Sequence, residues 1–166
     1  MLQSAFMILL RTYSRQEDII VGTVFAGRNH RDLENMAGMF VNTVAMRGYR
    51  AKVKTVRAFV EEMQQVYLEA EENQDYPFEE LVETLGIRRE VSRNPLFDVM
   101  FVLQNNERED DRLMDAGISG LTDEHTVSKF DITLNAIATP TGYTFGAEYS
   151  DVLFTEFSVE RLLTGY

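Results

Sequence analysis

The stretch from Ile19 to Phe25, which reads IIVGTVF, places the strongest constraint on the fold of this chain. It is short, continuously apolar and rich in β-branched residues, which fit the pleated surface of a sheet. A strand with one solvated face alternates apolar and polar residues, whereas a strand covered on both faces does not. We therefore predict an interior strand with other structure packed on both of its faces.

Helical periodicity is clearest between Thr55 and Asn73, where apolar residues recur on one stripe and Thr55 is placed to cap the amino end. Gly86 is a natural stop for a shorter helix that has Pro77 near its first turn. The complete set of predicted helical segments is Leu2 to Tyr13, a short piece around Leu33 to Ala37, Thr55 to Asn73, Pro77 to Gly86, and a last helix capped by Thr155.

Strand patterns are interleaved with these helices. The predicted strands are Ile19 to Phe25, Phe40 to Arg47, Phe97 to Leu103, Phe130 to Ile137 and Tyr143 to Tyr149. Thr139 to Gly142 contains Pro and Gly and predicts a hairpin turn between the last two. The charged stretch from Asn105 to Asp115 is predicted to be an exposed loop. The pattern indicates an α/β (α+β) fold with helices packed on a mixed β-sheet.

Composition excludes several classes of function. A chain of 166 residues with 45% apolar content can close one core, so we expect one folded unit. The absence of cysteine removes disulfides and thiolate chemistry, and two histidines far apart do not make a zinc site. A net charge of -11 disfavours nucleic-acid binding. No apolar run is long enough to cross a membrane and no signal peptide is recognisable, so we expect a cytoplasmic protein.

A basic stretch runs against the acidic balance of the chain. It contains no acid and carries five cations, which are Arg47, Arg50, Lys52, Lys54 and Arg57. One interpretation is a solvated turn followed by the start of a helix. The other is a docking patch for an acidic partner.

No complete catalytic set can be assembled from the residues alone. His30 lies in a polar turn and His125 follows two acids, so both are expected to be surface histidines. The chain has no glycine-rich phosphate loop and no G-x-S-x-G elbow. The acid pairs Glu61/Glu62 and Glu79/Glu80 fall on helical faces where solvated carboxylates are usual. Residue chemistry by itself therefore predicts no complete catalytic apparatus within this chain.

Several stretches, in order and at matching spacing, resemble the condensation domains of nonribosomal peptide synthetases. They are GTVFAGRNHRDLENMAGMFVNTVAMR from Gly22 to Arg47, NQDYPFEELVETL from Asn73 to Leu85, SRNPLFDVMFVLQN from Ser92 to Asn105, KFDITL from Lys129 to Leu134, and EYSDVLF from Glu148 to Phe154. Each motif alone is moderately specific. Together they extend the resemblance over nearly the whole chain.

The resemblance implies a fold like that of chloramphenicol acetyltransferase, with two similar lobes around a central tunnel. Such domains join an upstream acyl or peptidyl thioester to the amine of a downstream aminoacyl thioester. Their general-base or positioning histidine belongs to an HHxxxDG motif in the N-terminal lobe, and this chain lacks that motif. We therefore expect residues 1–166 to be the C-terminal half of such a domain, inactive by itself and without a catalytic residue of its own.

The resemblance also implies site residues. An arginine near position 28 is thought to pair with the aspartate of the histidine motif across the lobes, and a bidentate bond from Arg28 would fix that motif. The alternative is a surface arginine in a turn. Asn42 either hydrogen-bonds a substrate amide or amine, or is a satisfied structural amide. Thr43 and Gln104 complete the predicted set of tunnel-lining or lobe-interface residues.

For the other polar residues of the motifs, we either predict a structural role or leave open whether they face the cleft or solvent. Arg93 and Asn94 precede Pro95 and are expected to fix a turn. Asp131 and Thr133 point away from the apolar face of their strand, so they could face either the cleft or solvent.

The implied partners are the N-terminal lobe of the same domain, upstream and downstream peptidyl carrier domains, and an adjoining adenylation domain. No metal and no directly bound cofactor are expected, because the substrates travel on the 4'-phosphopantetheine arms of the carriers. Nucleic acid and membrane are not expected partners. Epimerisation and heterocyclisation domains share the fold and stay open as alternatives, as does a noncatalytic module that docks a carrier through the basic stretch.

Overall fold

The computed structural model describes residues 1–33, 36–50, 54–88, 93–104 and 127–166. Its helices are α1 (Leu2–Ser14), α2 (Val56–Glu72), α3 (Phe78–Thr84) and α4 (Glu156–Thr164), with a short 3-10 turn at Arg31–Leu33. Its strands are β1 (Asp18–Phe25), β2 (Asn42–Tyr49), β3 (Val99–Gln104), β4 (Ile132–Thr139) and β5 (Gly142–Tyr149). The predicted α/β (α+β) class is confirmed.

The strands form one mixed sheet in the order β2-β1-β3-β4-β5. The two outer pairs, β1 with β2 and β4 with β5, are antiparallel hairpins, while β1, β3 and β4 run parallel. β1 therefore lies inside the sheet, as its apolar sequence predicts. Its pairing with β3 is limited to Gly22 opposite Met100, whereas β3 and β4 pair along six residues.

The predicted helix ends are largely confirmed. The Thr55 and Thr155 hydroxyls cap α2 and α4 by accepting hydrogen bonds from the backbone N–H groups of Ala58 and Ser158. After α3, Gly86 adopts a left-handed conformation with φ of 62°, which suits the end of a helix. The piece predicted around residues 33–37 is a 3-10 turn that begins earlier, at Arg31, and residues 34–35 lie outside the described part of the chain.

Three strands begin later than predicted, and a different contact precedes the start of each. Residues before β2 belong to a loop in which the Phe40 ring lies under the Arg28 guanidinium. Before β3, the Phe97 ring is turned onto Gly22 and does not continue the strand. Before β4, the Asp131 N–H donates to the Asp98 carbonyl at 2.8 Å outside the regular ladder. The loop predicted from Asn105 to Asp115 lies outside the described residues.

The main core lies on one face of the sheet, where α1, α2 and α4 contribute side chains. Its fully buried members include Phe6, Val21, Met46, Phe59 and Leu134. Each such burial is worth about 1.5–3 kcal/mol relative to exposure. Gly48 of β2 gives the helices room, because a β-carbon there would lie 3.0 Å from the Phe59 ring.

A second, aromatic cluster covers the opposite face of the sheet. The Phe97 ring lies between those of Phe78 and Phe130, with centroid distances of 5.6 Å to each. Phe97 is 5% exposed and rests against Gly22 of β1. β1 is thus covered on both faces, which accounts for its unbroken apolar sequence. Among the described residues, no helix is long and apolar enough to span a membrane.

Candidate functional site

The four residues predicted for the site lie toward one end of the sheet. β1 and β3 are parallel and end at Phe25 and Gln104, and Arg28 follows the end of β1. Asn42 and Thr43 open β2 directly opposite Phe25 and Val24. Carboxyl ends of parallel strands are where open α/β sheets commonly bind ligands. We refer to Arg28, Asn42, Thr43 and Gln104 as the carboxyl-end site.

Arg28 organises the loop between β1 and β2. Its guanidinium donates to the backbone carbonyls of Leu33, Met36 at 2.8 Å and Gly38 at 3.2 Å. It also stacks over Phe40, with 4.7 Å from Cζ to the ring centroid. No carboxylate pairs with it among the described residues. A guanidinium has five N–H donors, so Arg28 keeps capacity for a further acceptor while it holds the loop.

Asn42 ties β2 to the connection between α2 and α3. Its side-chain nitrogen donates to the backbone carbonyls of Gln74 at 2.6 Å and Tyr76 at 2.8 Å. These two bonds use both amide hydrogens. Only the carbonyl oxygen Oδ1 is left to meet a substrate N–H, so Asn42 can accept from an amine or amide but has no hydrogen to donate.

A second contact joins the same two segments. Asn29 donates from Nδ2 to Oδ1 of Asp75 at 3.1 Å, next to the carbonyls that Asn42 holds. The stretch NQDYPFE and the stretch ending in MFVNT are therefore one structural unit in three dimensions. Sequence reasoning identified both stretches but not their contact, because Asn42 and Gln74 are 32 positions apart.

Thr43 and Gln104 share the face of the sheet opposite to Asn42. Gly22 lies opposite Met100, and Val24 lies opposite Thr43, so alternation places Thr43 and Gln104 on the same side. Thr43 is half-buried and Gln104 is exposed at the end of β3. Neither side chain has a recorded hydrogen bond in the described ranges, so both can interact with another group.

Arg93 and Asn94 fix the turn before β3, as their sequence context predicts. Arg93 makes a two-pronged ion pair with Asp98, in which Nε donates to Oδ1 at 3.1 Å. Asn94 donates to the Lys129 carbonyl at 3.0 Å and so joins this turn to the approach to β4. These contacts lie at the amino ends of β3 and β4, away from the carboxyl-end site.

Asp131 and Thr133 differ in environment. Thr133 is 7% exposed and lies within β4. Burial is the main cause that raises the pKa of Asp131, the negative charge of Asp98 raises it further, and Arg93 partly offsets both. Asp131 is half-buried and directly precedes the amino end of β4, away from the carboxyl ends of the strands.

The basic stretch is partly neutralised within the chain. Arg47 pairs with Asp18 at 2.6 Å, which lowers the pKa of Asp18 and raises that of Arg47. Lys54 pairs with Glu62 at 2.5 Å. Lys52 lies outside the described residues. These pairings favour the structural interpretation for Arg47 and Lys54.

The histidines do not enter the site. His30 is exposed beside Asp32, with 3.4 Å between Nδ1 and the carboxylate. His125 lies outside the described residues. Within the described ranges, no cluster of three histidine or acidic residues could hold a metal ion. Taken together, the residues of the carboxyl-end site provide hydrogen-bonding groups and apolar surface for a ligand.

These features define a class: a layered α/β fold whose loops converge at the carboxyl ends of its parallel strands. The family model described as "Condensation domain" matches residues 1–166, and the chain belongs to that family. Tyrocidine synthase 3 of Brevibacillus parabrevis is 48% identical over 97% of this chain. Gramicidin S synthase 2 of Brevibacillus brevis is 49% identical over 97% of it. The chain spans only 2% and 4% of the lengths of these two relatives.

Solved structures agree on the fold. A four-domain nonribosomal peptide synthetase bound to AMP and glycine matches with a TM-score of 0.82 and 25% identity, covering 97% of this chain and 13% of that one. The condensation domain of a monacolin K polyketide synthase matches with a TM-score of 0.78 and 19% identity, covering 99% of this chain and 38% of that domain. The second likeness concerns the fold alone.

Proposed function

We propose that this chain is the C-terminal lobe of a condensation domain that forms peptide bonds in a cytoplasmic nonribosomal peptide synthetase. The observation that carries the proposal is the family match over residues 1–166, together with convergence of the family's motifs at the carboxyl-end site. The substrates would be a donor acyl or peptidyl thioester and an acceptor aminoacyl thioester. Both would arrive on the 4'-phosphopantetheine arms of upstream and downstream carrier domains, with an adenylation domain adjoining.

In this proposal the lobe contributes position and not proton transfer. Orienting two reactants can contribute roughly 7–11 kcal/mol, whereas one acid-base group typically gives about 10²- to 10⁴-fold in rate. The histidine of an HHxxxDG motif would stand on the N-terminal lobe, since this chain has none. The isolated chain would therefore form no amide bond.

Arg28 would connect the two lobes through its remaining donor capacity. It would receive the aspartate of the histidine motif while Leu33, Met36 and Gly38 hold the guanidinium in place. Removing one partner of such a buried pair costs about 3–5 kcal/mol, because the other charge is left without compensation.

Asn42, Thr43 and Gln104 would form the tunnel wall on this side. Asn42 would present Oδ1 to the acceptor amine or to a substrate amide, since its hydrogens are committed to Gln74 and Tyr76. Thr43 and Gln104 would line the other face of the same sheet end. Their side chains would orient the two thioesters without taking a proton.

The test joins this chain to the upstream half of a related condensation domain that carries the HHxxxDG motif. Two carrier proteins loaded with aminoacyl groups are supplied, and the dipeptidyl thioester on the downstream carrier is measured by intact-protein mass spectrometry. We expect turnover in the joined domain and its loss when the second histidine is replaced by alanine. A folded joined domain whose product does not depend on that histidine would overturn the proposal.

Arg28→Ala and Arg31→Ala make a matched pair in the same joined domain. Arg31 is exposed in the same loop, and no hydrogen bond or ion pair of its side chain is recorded among the described residues. Arg28→Ala should lose product and lower thermal stability, while Arg31→Ala should retain both. If Arg28→Ala kept full activity and stability, the proposed role of Arg28 would be wrong, whereas the proposal that the chain is a C-terminal lobe would stand.

A further inference from the structure

A cavity of about 670 Å³ opens at the amino ends of β1, β3 and β4, at the end of the sheet opposite to the carboxyl-end site. It lies where the pairing of β1 with β3, limited to Gly22 opposite Met100, has stopped. The end of α1 and the side of α4 form its walls. We call it the amino-end cavity. Its volume falls within the range of about 300–1,000 Å³ that is typical of small-molecule sites.

The floor of the amino-end cavity is apolar and belongs to the buried core. Ile19, Phe97, Ile132 and Leu162 line it and are 8%, 5%, 3% and 7% exposed. Groups this well buried are held by their packing, so the floor is preformed. A ligand with a hydrocarbon or aromatic body would bury apolar surface against it.

Three acidic residues also line the cavity, and the carboxylates of two of them are already paired with arginines. Asp18 is held by Arg47 and Asp98 is held by Arg93, and neither arginine lines the cavity. Asp131 differs, because no hydrogen bond or ion pair to its carboxylate is recorded among the described residues. Arg161 is the one cation among the residues that line the cavity, and it is exposed on α4.

The main chain fixes Asp131 in place on both sides. Its N–H donates to the Asp98 carbonyl at 2.8 Å, and its carbonyl accepts from the Ser150 N–H at 3.0 Å. Burial and the charge of Asp98 raise the pKa of Asp131 and act against its ionised form, while the positive charge of Arg93 partly offsets both effects. A bound cation would stabilise the ionised carboxylate against both effects.

We propose that the amino-end cavity is a binding site for a small primary amine with an apolar body. The ammonium group would bond to the Asp131 carboxylate, and the body would rest on Ile19, Phe97 and Leu162. Charge-assisted bonds of this kind are among the stronger hydrogen bonds in proteins. The inference is independent of the proposed condensation function, because no residue of the carboxyl-end site lines the cavity.

The test is a set of NMR titrations of the 166-residue chain with 2-phenylethylammonium, 2-phenylethanol and 3-phenylpropionate at pH 7. The three probes share an aromatic body and differ in the charge of the head group. We expect amide shifts at Ile19, Val99 and Ile132, and about tenfold tighter binding of the amine than of the alcohol, which is the lower end of what a hydrogen bond to a charged group provides. Equal affinities, shifts confined to the Phe25 and Gln104 end, or no shifts at millimolar probe would each overturn the proposal.

Two variants and a control sharpen the assignment. Asp131→Asn keeps the shape of the side chain and should abolish the preference for the amine, leaving the affinity for the alcohol unchanged. Asp151→Asn alters an exposed acid on a nearby turn that does not line the cavity, and it should behave as wild type. Retention of the amine preference in Asp131→Asn would refute the role of Asp131.

Ser158→Trp tests the cavity without touching its charge. Ser158 is exposed at the rim, and its backbone N–H would still cap α4 through Thr155. A tryptophan there should block all three probes while leaving the thermal midpoint of unfolding close to that of wild type. Undiminished binding in this folded variant would place the probes elsewhere and overturn the site.

Discussion

The ring of Phe97 occupies the space next to Gly22 that a β-carbon would need. A β-carbon built on Gly22 would lie 2.5 Å from Cζ of Phe97, closer than atoms in contact can approach. The ring has little freedom to retreat, because Phe78 and Phe130 flank it. This contact lies at the single paired position between β1 and β3 and holds the two parts of the sheet together.

Gly22→Ala should therefore destabilise the chain by about 1–3 kcal/mol, the usual cost of overpacking a filled core. Gly146→Ala is the matched control, since Gly146 also lies in a strand but a β-carbon there would meet nothing within 4 Å. Urea unfolding followed by circular dichroism gives both free energies of unfolding. Equal stability of the two variants would mean that Phe97 does not rest on Gly22.

Asn42→Ala should lower the free energy of unfolding by about 1–3 kcal/mol, because the carbonyls of Gln74 and Tyr76 lose their donors. Asn42→Asp should cost more at neutral pH, since it places a carboxylate against the same two carbonyl oxygens. Asn29→Ala removes one exposed hydrogen bond to Asp75 and should change stability by less than about 0.5 kcal/mol. A neutral effect of Asn42→Ala in denaturant unfolding would contradict its structural role.

Thr23 provides a side-chain link across the weak junction between β1 and β3. Its hydroxyl donates to the Phe101 carbonyl at 2.9 Å in a buried position. Thr23→Val should cost about 1 kcal/mol and speed hydrogen exchange in β3, while Thr144→Val on exposed β5 should do neither. Unchanged exchange in both variants would show that this bond does not hold the junction.

The raised pKa of Tyr166 predicts that the free energy of unfolding falls at alkaline pH. Burial raises its pKa from 10.0 to about 12, so the unfolded chain ionises first as the pH rises. The folded state keeps this contribution below pH 10 and loses it between pH 10 and about 12. Tyr166→Phe should flatten that decline, and at neutral pH it should cost about 0.5–1.5 kcal/mol for the lost bond to the Leu2 carbonyl. An unchanged alkaline profile in thermal melts would contradict the assignment.

Local signals in the sequence were enough to predict much of the fold. Thr55, Thr155 and Gly86 act through neighbours a few positions away, so helix ends could be placed from the sequence. The interior position of β1 followed from its unbroken apolar run. The predictions of where strands start were less accurate, because contacts between residues distant in sequence, such as Phe97 and Gly22, decide these positions.

The candidate site was harder to predict. The resemblance implied Arg28 and Asn42 as site residues, but their hydrogen-bond partners are backbone carbonyls whose positions depend on loop conformation. No periodicity in the sequence reports where such carbonyls point. The amino-end cavity was also missed, because it arises from the limited pairing of β1 with β3.

The most direct test of the central claim is amide formation by the 166-residue chain alone, measured with two loaded carrier proteins beside a buffer blank and the domain joined to a histidine-bearing lobe. The account predicts that the chain alone matches the blank and that the joined domain produces dipeptidyl thioester. Turnover by the chain alone above the blank would contradict the account, because the chemistry would then lie within this chain.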